Sequence, residues 1–123
     1  MSSFIHDIKD KAIENTYFRQ VLSTGEHTQI VVMSIPVGEE IGAETHTDSD
    51  QVLYFVAGKG KAVISGKEIP FAKEDIFLVK AGTLHNFINT GSKDLKIITA
   101  YSPPHHPDGT IHKTKAEAAK ANY

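Results

Sequence analysis

The chain contains no cysteine, which excludes a disulfide framework, thiolate nucleophiles and sulfur-ligated metal sites. Any metal must therefore be held by histidine nitrogen and by oxygen donors. Charge of one sign is also lacking. The 13 basic and 15 acidic residues are interspersed, so there is no clustered basic face of the kind a phosphate backbone requires. Nucleic acid is not an expected partner. No apolar run approaches the ~18 residues of a membrane span, and the start Met1-Ser2-Ser3-Phe4-Ile5-His6-Asp7 has neither a basic n-region nor an apolar h-region. A cytoplasmic protein without a membrane partner is the simplest expectation. At 123 residues the chain can form one hydrophobic core but would starve a second. A single domain over residues 1–123 follows.

Short apolar or alternating segments are present through the middle of the chain: Tyr17 to Leu22, Gln29 to Ile35, Gln51 to Val56, Lys61 to Ser65, Ile76 to Lys80, Asn86 to Ile88 and Leu95 to Tyr101. The breaks between them carry Gly, Asp, Ser or Asn, as in Ala57-Gly58-Lys59-Gly60 and Asn89-Thr90-Gly91-Ser92. Regular strand spacing with turn punctuation and no central helical period predicts an all-β sandwich or barrel, with its core over residues 17–101. No internal repeat or low-complexity linker interrupts it. Pro103, Pro104 and Pro107 then make residues 102–109 an extended arm that leaves the sheet. Beyond it, Thr114-Lys115-Ala116-Glu117 fits a capping box, and Ala116, Ala118, Ala119 and Ala121 favour helix. Arm and helix together fill residues 102–123. Residues 6–15, with Ile5, Ile8, Ala12 and Ile13 at loosely helical spacing, suit a helix or an extended lead-in equally well.

Glu44, His46, Gln51 and His85 carry the chemistry. Residues 44 and 46 share parity, so on an extended strand both side chains leave one face. Thr47-Asp48-Ser49-Asp50 has turn composition and the run after it has strand composition. If those four residues form a hairpin loop, His46 and Gln51 face each other across the ladder, with Cβ atoms roughly 4.5 to 5.5 Å apart. His85 follows another turn signal, Ala81-Gly82-Thr83-Leu84, and can supply a fourth donor from a distant strand. The alternative is a barrel interior whose polar side chains only bond one another. Leaving a carboxylate, two imidazoles and an amide buried without partners is costly, and a metal removes that cost. Gln51 is the weakest donor of the four and can instead sit behind the ligands.

These residues resemble the cupin pattern. Its first motif runs from a glycine through His-x-His and a short spacer to a Glu, then along an apolar strand to a second glycine. With Gly58 setting the register, Glu44, His46 and Gln51 fall on the His, His and Glu positions. The second motif, from Gly-Asp through Pro-x-Gly-x-x-His to a following Asn, is matched by Glu74-Asp75, Lys80-Ala81-Gly82-Thr83-Leu84-His85 and Asn89. The motifs together span residues 38–89. Glu44 departs from the usual first His, Gln51 from the Glu, Lys80 from the proline and Glu74 from the glycine, but one carboxylate stays in the donor set. Two His, one Glu and one Gln are also the ligand types of the mannose-6-phosphate isomerases, in a different order. The resemblance implies a cupin-type double-stranded β-helix, a jelly-roll barrel, with a short C-terminal helix. It further implies one divalent ion per chain, with Zn, Mn, Fe and Ni not distinguished, on Glu44, His46, Gln51 and His85.

Further candidates are weaker. Arg19 lies on an otherwise apolar strand and reads first as an exposed edge charge. An inward guanidinium, suited to an anionic substrate by bidentate bonding, is the alternative. Tyr54 and Tyr101 could donate protons near a metal, although core tyrosines are commoner. His105, His106 and His112 suggest a second metal site, with His106 also a catalytic candidate. On a proline-bracketed arm, however, they read as solvated. Similar small cupins have a Tyr-x-Pro-Pro arm before Gly-Thr-x-His, matched by Tyr101, Pro103, Pro104, Gly109, Thr110 and His112. Such an arm lines the barrel mouth or reaches a partner subunit. Asn89 reads as structural, bonding turn backbone.

The expected function is that of a mononuclear-metal enzyme acting on a small polar molecule, such as a sugar or hydroxy-carbonyl compound. Open positions on the ion suit isomerase-like chemistry by carbonyl polarisation or, with a redox-active ion, oxygenase-like chemistry. The competing class is a non-catalytic module that binds a small molecule. A homodimer is expected, because an open jelly roll leaves sheet edges to cover.

Overall fold

The computed structural model describes residues 4–121, so Met1–Ser3 of the start segment and Asn122–Tyr123 lie outside the described residues. The element order is α1 (Ile8–Glu14), β1 (Arg19–Thr24), β2 (Gln29–Ile35), β3 (Asp50–Ala57), β4 (Lys59–Ile64), β5 (Lys67–Ala72), β6 (Ile76–Val79), β7 (His85–Asn89), β8 (Leu95–Ser102), β9 (Ile111–His112) and α2 (Lys115–Ala121). The strands form two antiparallel sheets, one ordered β6-β3-β8-β2-β1-β9 and the other β5-β4-β7. This is the expected all-β jelly roll with a short C-terminal helix. All seven expected strands are present. β5 and β9 are additional.

Strand alternation sorts side chains to two faces, and the inward set changes character along the barrel. On β2 the inward residues run Gln29, Val31, Met33, Ile35, and on β8 they run Tyr101, Thr99, Ile97, Leu95. The register sets Gln29 opposite Tyr101 and Ile35 opposite Leu95. β3 continues the series, with Gln51 opposite Tyr101 and Phe55 opposite Ile97. On β7, buried His85 and Phe87 repeat it. One end of the barrel is therefore polar and the other apolar.

The apolar end is filled by Phe55, Phe71, Phe77 and Phe87, with the Phe55 and Phe71 rings stacked at 4.0 Å between centroids and Phe77 set edge-on to Phe87 at 5.2 Å. β4 passes this cluster at Gly60. A Cβ there would collide with the Ile88 carbonyl oxygen and meet the Phe71 ring at 2.8 Å. Gly60→Ala is expected to lower the unfolding free energy by at least about 2 kcal/mol through overpacking. A urea midpoint unchanged from the wild type would contradict the close approach.

The outer face of the six-stranded sheet is covered by α1. Ala12 packs there with Val32 and Val56, flanked by Ile8, Leu22, Tyr54 and Ile98. The N-terminal segment is thus a helix, because Ile8 and Ala12 share a face at i and i+4 and have an apolar surface to bury it against. Tyr54 belongs to this outer layer. At the other end of the chain the capping box forms, with Glu117 N–H donating to Thr114 Oγ1 at 3.1 Å and Thr114 N–H donating to Glu117 Oε2 at 3.1 Å. Asn89 bonds turn backbone as expected, donating from Nδ2 to the carbonyls of Ile35 and Lys93. Among the described residues no helix is long and apolar enough to cross a membrane.

Candidate metal centre

Glu44, His46 and His85 meet at the polar end of the barrel. Glu44 and His85 form an antiparallel bridge, exchanging N–H···O bonds of 2.9 and 3.0 Å, so their side chains start from directly opposed positions. His46 is held by its own carbonyl, which accepts the Gly82 N–H at 2.8 Å. Gly82 has φ +84°, a left-handed conformation that glycine adopts without penalty. Ala81 N–H donates to Asp50 Oδ1 at 2.9 Å, a second tie between the loop before His85 and the segment that carries His46.

The hairpin expected between His46 and Gln51 is not formed. β3 pairs with β6 and β8, where Gln51 stands opposite Val79 and Tyr101. Glu44 is bridged to β7 of the smaller sheet, so residues 45–49 cross from one sheet to the other. Local turn composition cannot distinguish such a crossing from a hairpin. Gln51 nevertheless faces the same interior as the two histidines.

The donor atoms are arranged as a metal would require. Glu44 Oε1 lies 3.3 Å from His46 Nε2 and 4.0 Å from His85 Nε2. Ligands each bound at ~2.0–2.2 Å to one ion sit no more than ~4.4 Å apart. His85 Nδ1 is 2.9 Å from the Thr83 carbonyl, and a carbonyl only accepts, so Nδ1 carries the proton and Nε2 of the neutral ring is a lone-pair donor. Gln51 Nε2 donates to Thr99 Oγ1 at 3.0 Å and to Tyr101 Oη at 3.1 Å. Both amide hydrogens are therefore engaged, leaving the oxygen to face elsewhere. His46 Nε2, His85 Nε2 and Gln51 Oε1 are buried without a hydrogen-bond partner. Three orphaned donor atoms beside a carboxylate are costly unless a cation collects them. These residues fit a divalent ion.

Electrostatics agree. Burial pushes the Glu44 carboxyl upward, but His46, Arg19 and His85 outweigh it and hold the group below its ordinary value, so Glu44 is ionised at neutral pH. Burial raises the Tyr101 hydroxyl well above its usual range, so Tyr101 stays a phenol. It touches Gln51 and orients that amide, which makes it a positioning residue. Tyr54, on the opposite face of the sheet, is not brought to the centre.

The arm departs from its expected solvated state. Gln29, buried on β2, donates from Nε2 to the His106 carbonyl at 2.7 Å and accepts the His105 and His106 N–H groups on Oε1 at 3.2 and 3.0 Å. Ser49 Oγ donates to the Pro103 carbonyl at 2.9 Å. Held this way, the arm closes over the barrel mouth and buries His106 and His112. His105 stacks on Tyr101 at 5.4 Å and meets His46 edge-on at 4.3 Å. Its pKa is lowered by burial first and then by His46. For His106, burial and then Arg19 push the value down to about 2. The sequence signal for the clamp is Gln29 itself, a polar residue at the parity of Val31, Met33 and Ile35.

Arg19 is likewise corrected. It is 6% exposed because it opens β1 on the inward parity of Val21, opposite Met33 and His112. With Glu44, His105, His106 and residues of α2 it lines a cavity of about 150 Å³ beside the donor cluster.

A two-sheet antiparallel jelly roll with a Glu, His and His cluster at its polar end that could hold a metal ion defines a small β-barrel protein. The chain belongs to the cupin family, whose cupin domain model matches residues 31–101. It is 41% identical over 124 residues to YrkC, an uncharacterized protein of Bacillus subtilis (strain 168), an alignment that covers 96% of this chain and 67% of that protein. A crystal structure of a Bacillus halodurans protein superposes with a TM-score of 0.94 at 39% identity, covering 97% of this chain and 95% of the other. A predicted oxalate decarboxylase from Thermotoga maritima superposes with a TM-score of 0.60 at 25% identity, covering 63% of this chain and 67% of that one.

Proposed function

We propose that this cupin is a mononuclear-metal enzyme acting on a small polar molecule of the hydroxy-carbonyl class. The observation that carries the reading is the convergence of His46 Nε2, His85 Nε2 and Gln51 Oε1, buried and unpartnered, beside the Glu44 carboxylate at a cavity. His46, His85 and Glu44 would hold one divalent ion, with Gln51 Oε1 as a fourth donor. When bound, such an ion supplies Lewis acidity that polarises a carbonyl or hydroxyl oxygen.

The remaining chemistry belongs to the chain. Glu44 brings the negative charge of the donor set. Tyr101 and Thr99 fix the Gln51 amide so that its oxygen is presented. His105, on the cavity wall with its pKa lowered by burial, is a neutral imidazole near pH 7 and can accept a proton from a substrate brought beside it. Phe18 and Ile41 make part of the cavity wall apolar. The similarity to the Thermotoga maritima protein supports an enzyme over a binding module.

The test starts from protein purified without added metal. Elemental analysis is expected to find one divalent ion per chain. Hydroxy-carbonyl compounds and sugar phosphates are then incubated with the metal-loaded protein, with and without dioxygen, and products are read by mass spectrometry and NMR. At least one compound should be converted, and chelation should stop conversion while the far-UV spectrum is retained. Compounds that bind and are recovered unaltered under both atmospheres would make the protein a binding module instead.

A further inference from the structure

Arg19 is the one arginine in the chain, and the barrel buries it. A guanidinium cannot shed its charge, so burying it is costly unless anions or acceptors surround it. The structure provides part of that compensation: the guanidinium donates to the Tyr101 hydroxyl and its central carbon lies 5.1 Å from the centre of the Phe18 ring. Nη1 donates to His112 Nδ1 at 3.1 Å, a contact that follows from the direct pairing of Arg19 and His112 on β1 and β9. Because arginine only donates, His112 Nδ1 must be the acceptor, which sets the neutral imidazole with its proton on Nε2. Arg19 Nε, by contrast, is buried and has no hydrogen-bond partner. Glu44 is the acidic residue on the cavity wall, where its charge interacts with Arg19 and its Oε1 lies 3.3 Å from His46 Nε2.

The rest of the wall indicates what would complete the arginine. Lys115, from the first turn of α2, adds a second cation at the rim, while Phe18, Ile41, Ala118 and Ala119 are apolar. His106 is held neutral by burial and by Arg19, so it contributes polarity without charge. At about 150 Å³ the cavity is smaller than the ~300–1,000 Å³ that holds a drug-sized ligand. It fits a compound of a few carbons. The cavity wall thus carries two cations together with the Glu44 carboxylate, which belongs to the donor cluster with His46 and His85.

We propose that Arg19, positioned by His112, is the anion-binding residue of this pocket, and that the ligand is a short-chain carboxylate with a hydroxyl or carbonyl oxygen next to the carboxylate-bearing carbon. The carboxylate takes the free Nε–H and the adjacent guanidinium hydrogens in the two-pronged geometry that a planar fork offers. The neighbouring oxygen faces the donor cluster. This gives the Tyr101–His112 arm a purpose: Gln29 clamps it at His105 and His106, and its end delivers the histidine that orients the guanidinium. The inference rests on the reading of this cavity as the substrate site.

The experiment compares carboxylates with their neutral amides: pyruvate with pyruvamide and lactate with lactamide. Dissociation constants are measured by calorimetry on the metal-loaded protein and again after chelation. The wild type is expected to prefer a carboxylate over its amide by about tenfold or more. Arg19→Gln should bring that ratio to about one, and Arg19→Lys should retain part of it, with metal stoichiometry and thermal midpoint showing that both variants are folded. His112→Ala should reduce the ratio by loosening the guanidinium. A wild type that binds neither carboxylate more tightly than its amide overturns the proposal, as does a folded Arg19→Gln that keeps the preference. Preference for carboxylate in a protein that takes up no divalent ion when one is offered would sink the metal-enzyme reading and leave the anion site standing. One ion per chain without the preference would do the reverse.

Discussion

Removing the imidazole of His85 is expected to cut affinity for a divalent ion by more than about a hundredfold, and His46→Ala should do the same. Losing a group that merely orients a ligand costs 10–100-fold, and these two rings present the donor atoms themselves. His85 Nε2 and His46 Nε2 are both buried without hydrogen-bond partners. His85 is fixed further by its Nδ1–H bond to the Thr83 carbonyl, 2.9 Å long. The measurement is metal stoichiometry after dialysis, with wild type and both variants handled in parallel. Stoichiometry of one in each variant would reject the site. The variants should remain folded, because the phenylalanine cluster and the Ile35, Leu95 and Ile97 layer lie at the other end of the barrel.

The clustering of Glu44, His46 and His85 was legible in the sequence for a physical reason. Parity on an extended segment places Glu44 and His46 on one face, and a turn signal precedes His85. Strand positions were legible for a related reason, since alternation and turn residues are local. What was not legible is who pairs with whom. The β3 strand lies between β6 and β8, partners far along the chain, and the four residues before it compose equally well a hairpin or a crossing between sheets. β5 is not among the expected strands; Pro70 interrupts it, which an edge strand tolerates, and β5 is an edge of its sheet. The two-residue β9 is too short to carry any periodicity. Its consequence is large all the same, since it turns Arg19 from an expected edge charge into a buried one. The arm was expected to be solvated because prolines leave sheets, yet Gln29, Ser49 and the stacked His105 hold it down. Val32 belongs to the layer under α1, a face that could be foreseen only if residues 8–14 were known to be helical.

Replacing Glu44 with glutamine separates two roles for the carboxylate. The substitution conserves shape and one acceptor oxygen but removes the negative charge from a donor set otherwise composed of neutral imidazoles and an amide. Charge count is a main determinant of affinity for a divalent ion, and Arg19 nearby, which lowers the Glu44 pKa through its charge, would then repel a cation without an intervening anion. The expected result is a loss of metal affinity of about a hundredfold, near 2.7 kcal/mol at about 1.4 kcal/mol per decade, measured by competition with a chromophoric chelator. The fold should be unaffected, because Glu44 bonds to His85 through backbone groups that glutamine also has. A variant with wild-type metal affinity and no turnover would reassign Glu44 as a general base. The two outcomes differ in a binding constant that can be read without knowing the substrate.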